Sequence, residues 1–211
     1  MLASQAMIME TKFDPLLVAL SFVVAIFASY VALNLAHSVH RSTGWARWAW
    51  LSAGALAMGT GIWSMHFIGM LAFEMPGMSM AYDIPLMLLS VAVAIAASWL
   101  ALVIVSRDEI NGFSLGSSGV AMALAIAGMH YIGMYSMRMS ARIEWNGWLV
   151  AISVLIALAA SLAALQLLIR LRDSSERYFK LFAASSVMGF AIAGMHYTGM
   201  FAATFIHEDS F

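Results

Sequence analysis

The chain reads as an all-α membrane protein: six transmembrane helices forming three parallel two-helix repeats in a pseudo-threefold bundle. Three observations lead there. The 211 residues are 63% hydrophobic and only 10% charged, too little charge to coat a soluble domain. Apolar runs long enough to cross a bilayer core of about 30 Å recur along the chain. One motif also recurs, as Met65-His66-Phe67-Ile68-Gly69-Met70, Met129-His130-Tyr131-Ile132-Gly133-Met134 and Met195-His196-Tyr197-Thr198-Gly199-Met200.

The elements follow in order. The opening segment sets Lys12 against Glu10 and Asp14, and the apolar run after it is too long for the core of a cleaved signal peptide, so it is the first span. The six spans are expected at about 15–36, 48–73, 84–105, 117–137, 147–169 and 180–206. A closed barrel would need alternating segments of about ten residues, which are absent. The loops after the first, third and fifth spans hold Arg41, Arg47, Arg107, Arg170, Arg172, Arg177 and Lys180, against Lys12, Arg138 and Arg142 on the other side. The first set is expected in the cytoplasm, which leaves both ends of the chain outside. Trp45, Trp48 and Trp50 suit the inner interface as anchors, and Trp145 and Trp148 the outer one.

The repeat extends beyond the motif. Met58, Met122 and Met188 precede the motif Met by seven residues, and Ile62, Ile126 and Ile192 precede it by three. In the odd spans Ser21/Ser90/Ser153, Ala25/Ala94/Ala157, Ala28/Ala97/Ala160, Ser29/Ser98/Ser161, Ala32/Ala101/Ala164 and Leu33/Leu102/Leu165 fall into register. The unit is a helix pair of about 65 residues, and two spans restore the starting side, so all units point the same way. One domain over 1–211 is expected, with repeats at about 15–80, 81–144 and 145–206. The Ser and Ala rows are the small residues that let membrane helices pack closely. Asn34 and Gln166 are interhelical hydrogen-bond formers in this reading.

Composition also bounds the chemistry. A net charge of −1 gives no basic field for nucleic acid. There is no cysteine, so any soft sulfur ligand must come from the 18 methionines. Glu74, Asp83, Glu144, Glu208 and Asp209 fall in loops or tails, and no carboxylate sits mid-membrane, which argues against a proton relay. No nucleophile–base pattern is present, so the chain itself is not expected to be an enzyme.

Histidine in hydrocarbon calls for a reason. On a helix, His66 shares a face with Met70, His130 with Met134 and His196 with Met200, while Met65, Met129 and Met195 sit about 100° round. The Gly before the second Met is a close-contact point. The motifs lie near the outer helix ends, reachable from outside, and methionines continue into water-facing loops as Met75, Met78, Met80, Met137 and Met139. Imidazole with thioether and no thiolate or carboxylate cluster favours copper, chiefly Cu(I). Haem is the lesser alternative, since His and Met are both axial ligands. Metal ligands are expected at His66, His130, His196, Met65, Met70, Met129, Met134, Met195 and Met200. Secondary metal or pathway positions are Met58, Met122, Met188, Met75, Met78 and Met80. A single three-histidine site and paired His–Met sites between repeats use the repeat equally well. The competing reading is satisfied interior histidine with methionine as core filler. His37 and His40 suit a helix C-terminus, and His207 lies in the tail.

Met195-His196-Tyr197-Thr198, with its two variant copies, resembles the MHYT family of bacterial integral membrane sensor domains over essentially the whole chain. The resemblance implies a sensor holding copper through Met and His near the outer face of the cytoplasmic membrane, with O2, CO or NO as ligand. It places the family's positions on Met65, His66, Met129, His130, Met195 and His196, and its proline on Pro76. It also implies a cytoplasmic output partner in cyclic-di-GMP signalling, reached through a seventh helix. Ile68 and Ile132 replace the motif Thr, so Thr198 is not expected to be a shared ligand. Ending at Phe211, the chain reads as an excised sensor domain or a free-standing member, with any output activity in a separate domain. The alternatives carried forward are a copper-transport or copper-delivery protein, and a haem-binding or metal-free structural membrane module.

Overall fold

Three antiparallel strand pairs tie six long helices together at one end. The computed structural model describes residues 10–76, 78–105, 111–171 and 177–207. In chain order the elements are β1 (Lys12–Phe13), α1 (Pro15–Arg41), α2 (Gly44–Leu71), β2 (Phe73–Glu74), β3 (Ala81–Tyr82), α3 (Ile84–Val105), α4 (Gly112–Tyr135), β4 (Met137–Arg138), β5 (Ala141–Trp145), α5 (Gly147–Leu171), α6 (Arg177–Phe201) and β6 (Ala203–His207). Each odd helix packs on the even helix after it and on the one before it, and α6 closes back on α1. The even helices also touch one another, so they form the inner part of the bundle.

The strand end is built the same way three times. β1 pairs with β2, β3 with β4 and β5 with β6, all antiparallel. Just past each pair a backbone N–H closes on the residue that ends the even helix: Asp14 on Ala72 at 2.8 Å, Asp83 on Ser136 at 2.7 Å, Asn146 on Ala202 at 2.8 Å. The same three side chains cap the odd helices. Asp14 accepts from the Leu16 and Leu17 amides, Asp83 from Leu86, and Asn146 from Trp148 and Leu149. A short acceptor at the N-cap satisfies amides the helix leaves unpaired. The strands are too short to show as an alternating pattern, which is why only helices were expected.

Five helices, α1, α3, α4, α5 and α6, are long and apolar enough to cross a membrane. The expected sixth span, α2, has the length at 28 residues but not the apolarity: tryptophans, glycines and hydroxyl residues dilute it. Its burial compensates, because it lies between α1 and α3 with Leu51, Ala55, Met58, Ile62 and Met65 all inside. Several spans shift from their expected bounds: α1 runs on to Arg41 and α2 begins at Gly44. α4 begins earlier, capped by Asn111, and the sixth span ends at Phe201, where the chain turns into β6.

The exterior is apolar: Leu16, Phe27, Phe113, Trp148, Tyr178 and Phe179 are among the exposed large side chains. The interior carries the polar groups, with Ser21, Ser29, Ser90, Ser98, Ser153 and Ser161 buried beside the aligned alanines. Apolar outside and small or polar inside is the distribution a lipid solvent selects. Trp45, Trp48 and Trp50 are exposed at the end opposite the strands. Trp145 is not a free anchor, since it packs its ring against Tyr131 and Tyr135. Arg107, Arg172, Glu208 and Asp209, and the side chains of His37, His40, Arg177 and His207, lie outside the described residues.

Candidate metal centre

On each even helix one row of residues four apart points inward. The rows are Met58-Ile62-His66-Met70 on α2, Met122-Ile126-His130-Met134 on α4 and Met188-Ile192-His196-Met200 on α6. Every one of these side chains is buried. Steps of four keep near one face of a helix, so three such rows meet as layers between the even helices. His66, His130 and His196 are exposed by only 1%, 0% and 0%.

The three imidazoles converge. The Nδ1 atoms of His66 and His196 are 3.0 Å apart, those of His130 and His66 3.2 Å, and those of His196 and His130 3.2 Å. The rings stand edge to face, with interplanar angles of 76°, 84° and 87°. Among the described residues this is the one group of three His, Cys, Asp or Glu side chains arranged to share a metal.

Each Nε2 points away from the centre and has no hydrogen-bond partner. It presses instead on a glycine of another even helix. His66 meets Gly133, His130 meets Gly199 and His196 meets Gly69, and a Cβ on any of those glycines would overlap the ring. The motif glycine is therefore the seat for a neighbour's histidine. Around the ring the contacts run in a cycle, so each helix both supplies a histidine and receives one.

Hydrogen bonding within the triangle cannot satisfy it. A neutral imidazole has one N–H and one in-plane lone pair. Two Nδ1 atoms can pair as donor and acceptor, but a third has no complementary role, and the Nε2 atoms have no outlet. Three buried Nδ1 atoms that cannot all pair with one another leave room for a shared ion at the triangle, whereas the Nε2 atoms face glycines away from it. Three nitrogens bound to one ion at about 2.0 Å would lie about 3.5 Å apart in a trigonal arrangement. The observed spacing is slightly tighter than that. The donor set, three neutral imidazoles, fits a borderline-soft ion.

The methionines divide around the histidines. Met70, Met134 and Met200 form a cluster on the strand side with Phe73, Met75, Met137 and Phe205. Met65, Met129 and Met195 belong to the deeper core with Met58, Met122, Met188 and the isoleucines. Met75 and Met137 are 4% and 7% exposed, and Met78, Met80 and Met139 pack against the same cluster. Of the loop methionines expected to face water, Met75 and Met137 are buried and Met78, Met80 and Met139 are half-buried, and the histidines lie beneath them, because the strand pairs draw the loops over the helix ends. Thr198 Oγ1 donates to the Gly194 carbonyl of its own helix at 2.7 Å.

A second set of contacts reaches the odd helices. Tyr131 and Tyr197 pack edge-on to the adjoining histidines at 4.8 Å. Tyr131 Oη lies 2.6 Å from Ser153 Oγ, and Tyr197 Oη 2.8 Å from Ser21 Oγ. The first motif has Phe67 instead, stacked on Trp63 and tilted against Tyr82. Sequence reasoning aligned these serines as packing residues and did not connect them to the motif aromatic. The shared register of the two was the available signal.

A closed bundle of long apolar helices with a buried three-histidine centre defines a multi-pass helical membrane protein built around an internal polar site. The chain belongs to the MHYT family, described as a bacterial signalling protein N terminal repeat, whose model matches residues 1–49, 59–117 and 124–179. It is 45% identical to the bifunctional diguanylate cyclase/cyclic di-GMP phosphodiesterase MucR of Pseudomonas aeruginosa, over 92% of this chain and 28% of that protein. It is 38% identical to the signaling protein YkoW of Bacillus subtilis, over 95% and 25%. It is 41% identical to the cyclic di-GMP phosphodiesterase NbdA of Pseudomonas aeruginosa, over 90% and 24%. The chain thus spans about a quarter of the length of these relatives. No solved structure matches it. It is an MHYT sensor domain of the membrane type found in cyclic-di-GMP signalling proteins.

Proposed function

We propose that this domain binds copper at His66, His130 and His196 and reports a diatomic gas (O2, CO or NO), or a change of redox state, to a cytoplasmic output in cyclic-di-GMP signalling. The observation that carries the metal is the buried triangle of Nδ1 atoms at 3.0–3.2 Å, which donor–acceptor pairing alone cannot satisfy. Copper fits better than zinc, because imidazole and thioether surround the centre and no carboxylate does. Haem fits poorly, because the three imidazoles lie within 3.0–3.2 Å of one another and each ring is seated against a glycine of another even helix. When bound, copper supplies a redox-active centre whose coordination can respond to a small ligand.

The chain's own residues orient and transmit. The glycine seats fix each ring, and the Met70, Met134, Met200, Phe73 and Phe205 layer keeps water from the strand side. A ring that rotates must push Gly69, Gly133 or Gly199, and so another even helix. Tyr131 and Tyr197 carry the same displacement to α5 and α1 through Ser153 and Ser21. A ligand biases such an equilibrium only by binding the two arrangements unequally. Arg41, Arg47, Arg170 and Lys180 sit at the end opposite the strands, which supports a cytoplasmic reading of that end by the positive-inside rule. The strand end and the histidines then lie toward the outer face.

Metal analysis of the purified protein after anaerobic reconstitution tests the reading. About one copper held per chain by the histidines is expected, lost in His66→Ala, His130→Ala and His196→Ala. Copper at trace level in the unaltered protein would remove it. Copper transport is the second reading, motivated by the methionines on both sides of the histidines. Radiotracer flux into vesicles containing the protein would favour it over the sensor.

A further inference from the structure

Below the histidines the inward rows continue through Ile62, Ile126 and Ile192 to Met58, Met122 and Met188. The three methionines are exposed by only 3%, 3% and 2%. Together with Ile126, Ile192 and Ser161 they line one cavity of about 10 Å³, room for a single water-sized occupant. Ser161 Oγ is buried there without a hydrogen-bond partner. Its counterparts in the other repeats turn back onto their own helices: Ser29 donates to the Ala25 carbonyl at 2.8 Å and Ser98 to the Ala94 carbonyl at 2.9 Å. The exception occurs where the serine faces the cavity.

A water would be poorly held, because it needs two to four polar partners and Ser161 is the one hydroxyl in the lining. A hard cation would find neither carboxylate nor carbonyl donors. Thioethers are neutral and soft and select Cu(I). A monovalent ion also limits the charge carried into a low-dielectric interior. The geometry points to a second metal site: a Cu(I) position held by the Met58, Met122 and Met188 sulfurs, with the Ser161 hydroxyl oxygen as a further donor. It lies eight residues, or about 12 Å, from the histidine layer along the helices. Its pairing with the histidine centre rests on copper being the metal proposed there. It makes the histidines and the methionine triad two stations of one soft-ion column, separated by the isoleucine layer.

X-ray absorption of the purified protein, loaded anaerobically with one and then two equivalents of Cu(I), tests this. A nitrogen-dominated shell is expected at one equivalent and an added sulfur shell at two. Met58→Leu/Met122→Leu/Met188→Leu, a change that conserves volume, loses the second equivalent and its sulfur shell and keeps the nitrogen shell. Ser161→Ala weakens the second equivalent about tenfold and leaves the first unchanged. No sulfur shell at two equivalents in the unaltered protein overturns the site. So does a sulfur shell that survives the triple substitution and disappears in Met70→Leu/Met134→Leu/Met200→Leu. If the sulfur shell forms while no nitrogen shell is seen, the histidine reading fails and the methionine site stands.

Discussion

Glycine, rather than histidine, is the most constrained position of each motif. A methyl group at Gly133 would overlap the His66 ring, and neither the helix backbone nor the buried ring has room to yield. Gly133→Ala should destabilise the protein by about 1–3 kcal/mol as an overpacked core does. It should also lower copper retention, measured by metal analysis beside a thermal melt; unchanged copper would show that the ring need not be seated. The motif aromatic has a gentler role. Tyr131→Phe removes the bond to Ser153, which keeps its own link to the Val150 carbonyl at 2.8 Å. The expected cost is about 0.5–1.5 kcal/mol, read from denaturation midpoints, with copper retained. Phe67 already stands as the natural version of that change, in the first motif.

Between elements, the strand pairs and the helix contacts do different work. Asp83 caps α3 and binds Arg138 of β4 at 2.6 Å, so one carboxylate fastens both a helix start and a strand pair. The Arg138 hydrogen bond, then that from the Leu86 amide, holds the Asp83 carboxyl below its ordinary value. A lowered value in the folded state means the contribution is present above the ordinary carboxylate range of about pH 4 and fades as pH falls below it. Asp83→Asn should flatten the acid limb of a stability–pH curve between pH 5 and 3, as order-of-magnitude bounds; an identical limb in both proteins would remove this account. Elsewhere the helices touch backbone to backbone. A Cβ at Gly59 of α2 would lie 2.7 Å from the Ile95 amide nitrogen of α3. Gly59→Ala should therefore cost more than a typical surface change, about 1–3 kcal/mol. Ala123, one residue past Met122 as Gly59 follows Met58, fills the corresponding place on α4 and is itself 2% exposed.

For the molecule as a whole, a ligand at the centre would be coupled to the fold. Three helices distant in sequence donate one histidine each, so an ion bound by all three stabilises only the assembled bundle. At free copper about a hundredfold above the dissociation constant the gain is about 2.7 kcal/mol. For a chain of this length that raises the unfolding midpoint by about 5–10 °C. The rise should vanish in His130→Ala, and differential scanning fluorimetry with and without copper checks it. An equal rise in both proteins would place the stabilising ion elsewhere.

Composition alone pointed to a membrane protein, and the repeat alone to three histidines at a similar depth, with a bundle lacking threefold symmetry left open. Both are properties of periodic spacing, and spacing survives folding. The faces His66–Met70, His130–Met134 and His196–Met200 were legible for the same reason, whereas spacing put Met58, Met122 and Met188 with the Met that precedes each histidine. α2 was legible as an element but not as a typical span, since its apolarity is supplied by neighbours rather than by its own residues. The strands were not legible, being two to five residues long and made by pairing between distant segments. Periodicity left two arrangements open, one three-histidine group or separate His–Met pairs. The tertiary structure brings the Nδ1 atoms together and sends the nearest methionines into layers above and below. It also encloses Met75 and Met137, which looked like exposed loop residues, because strand pairing folds their loops over the helix ends. Spacing along one helix states which side chains share a face. Which faces meet is set only when three helices pack.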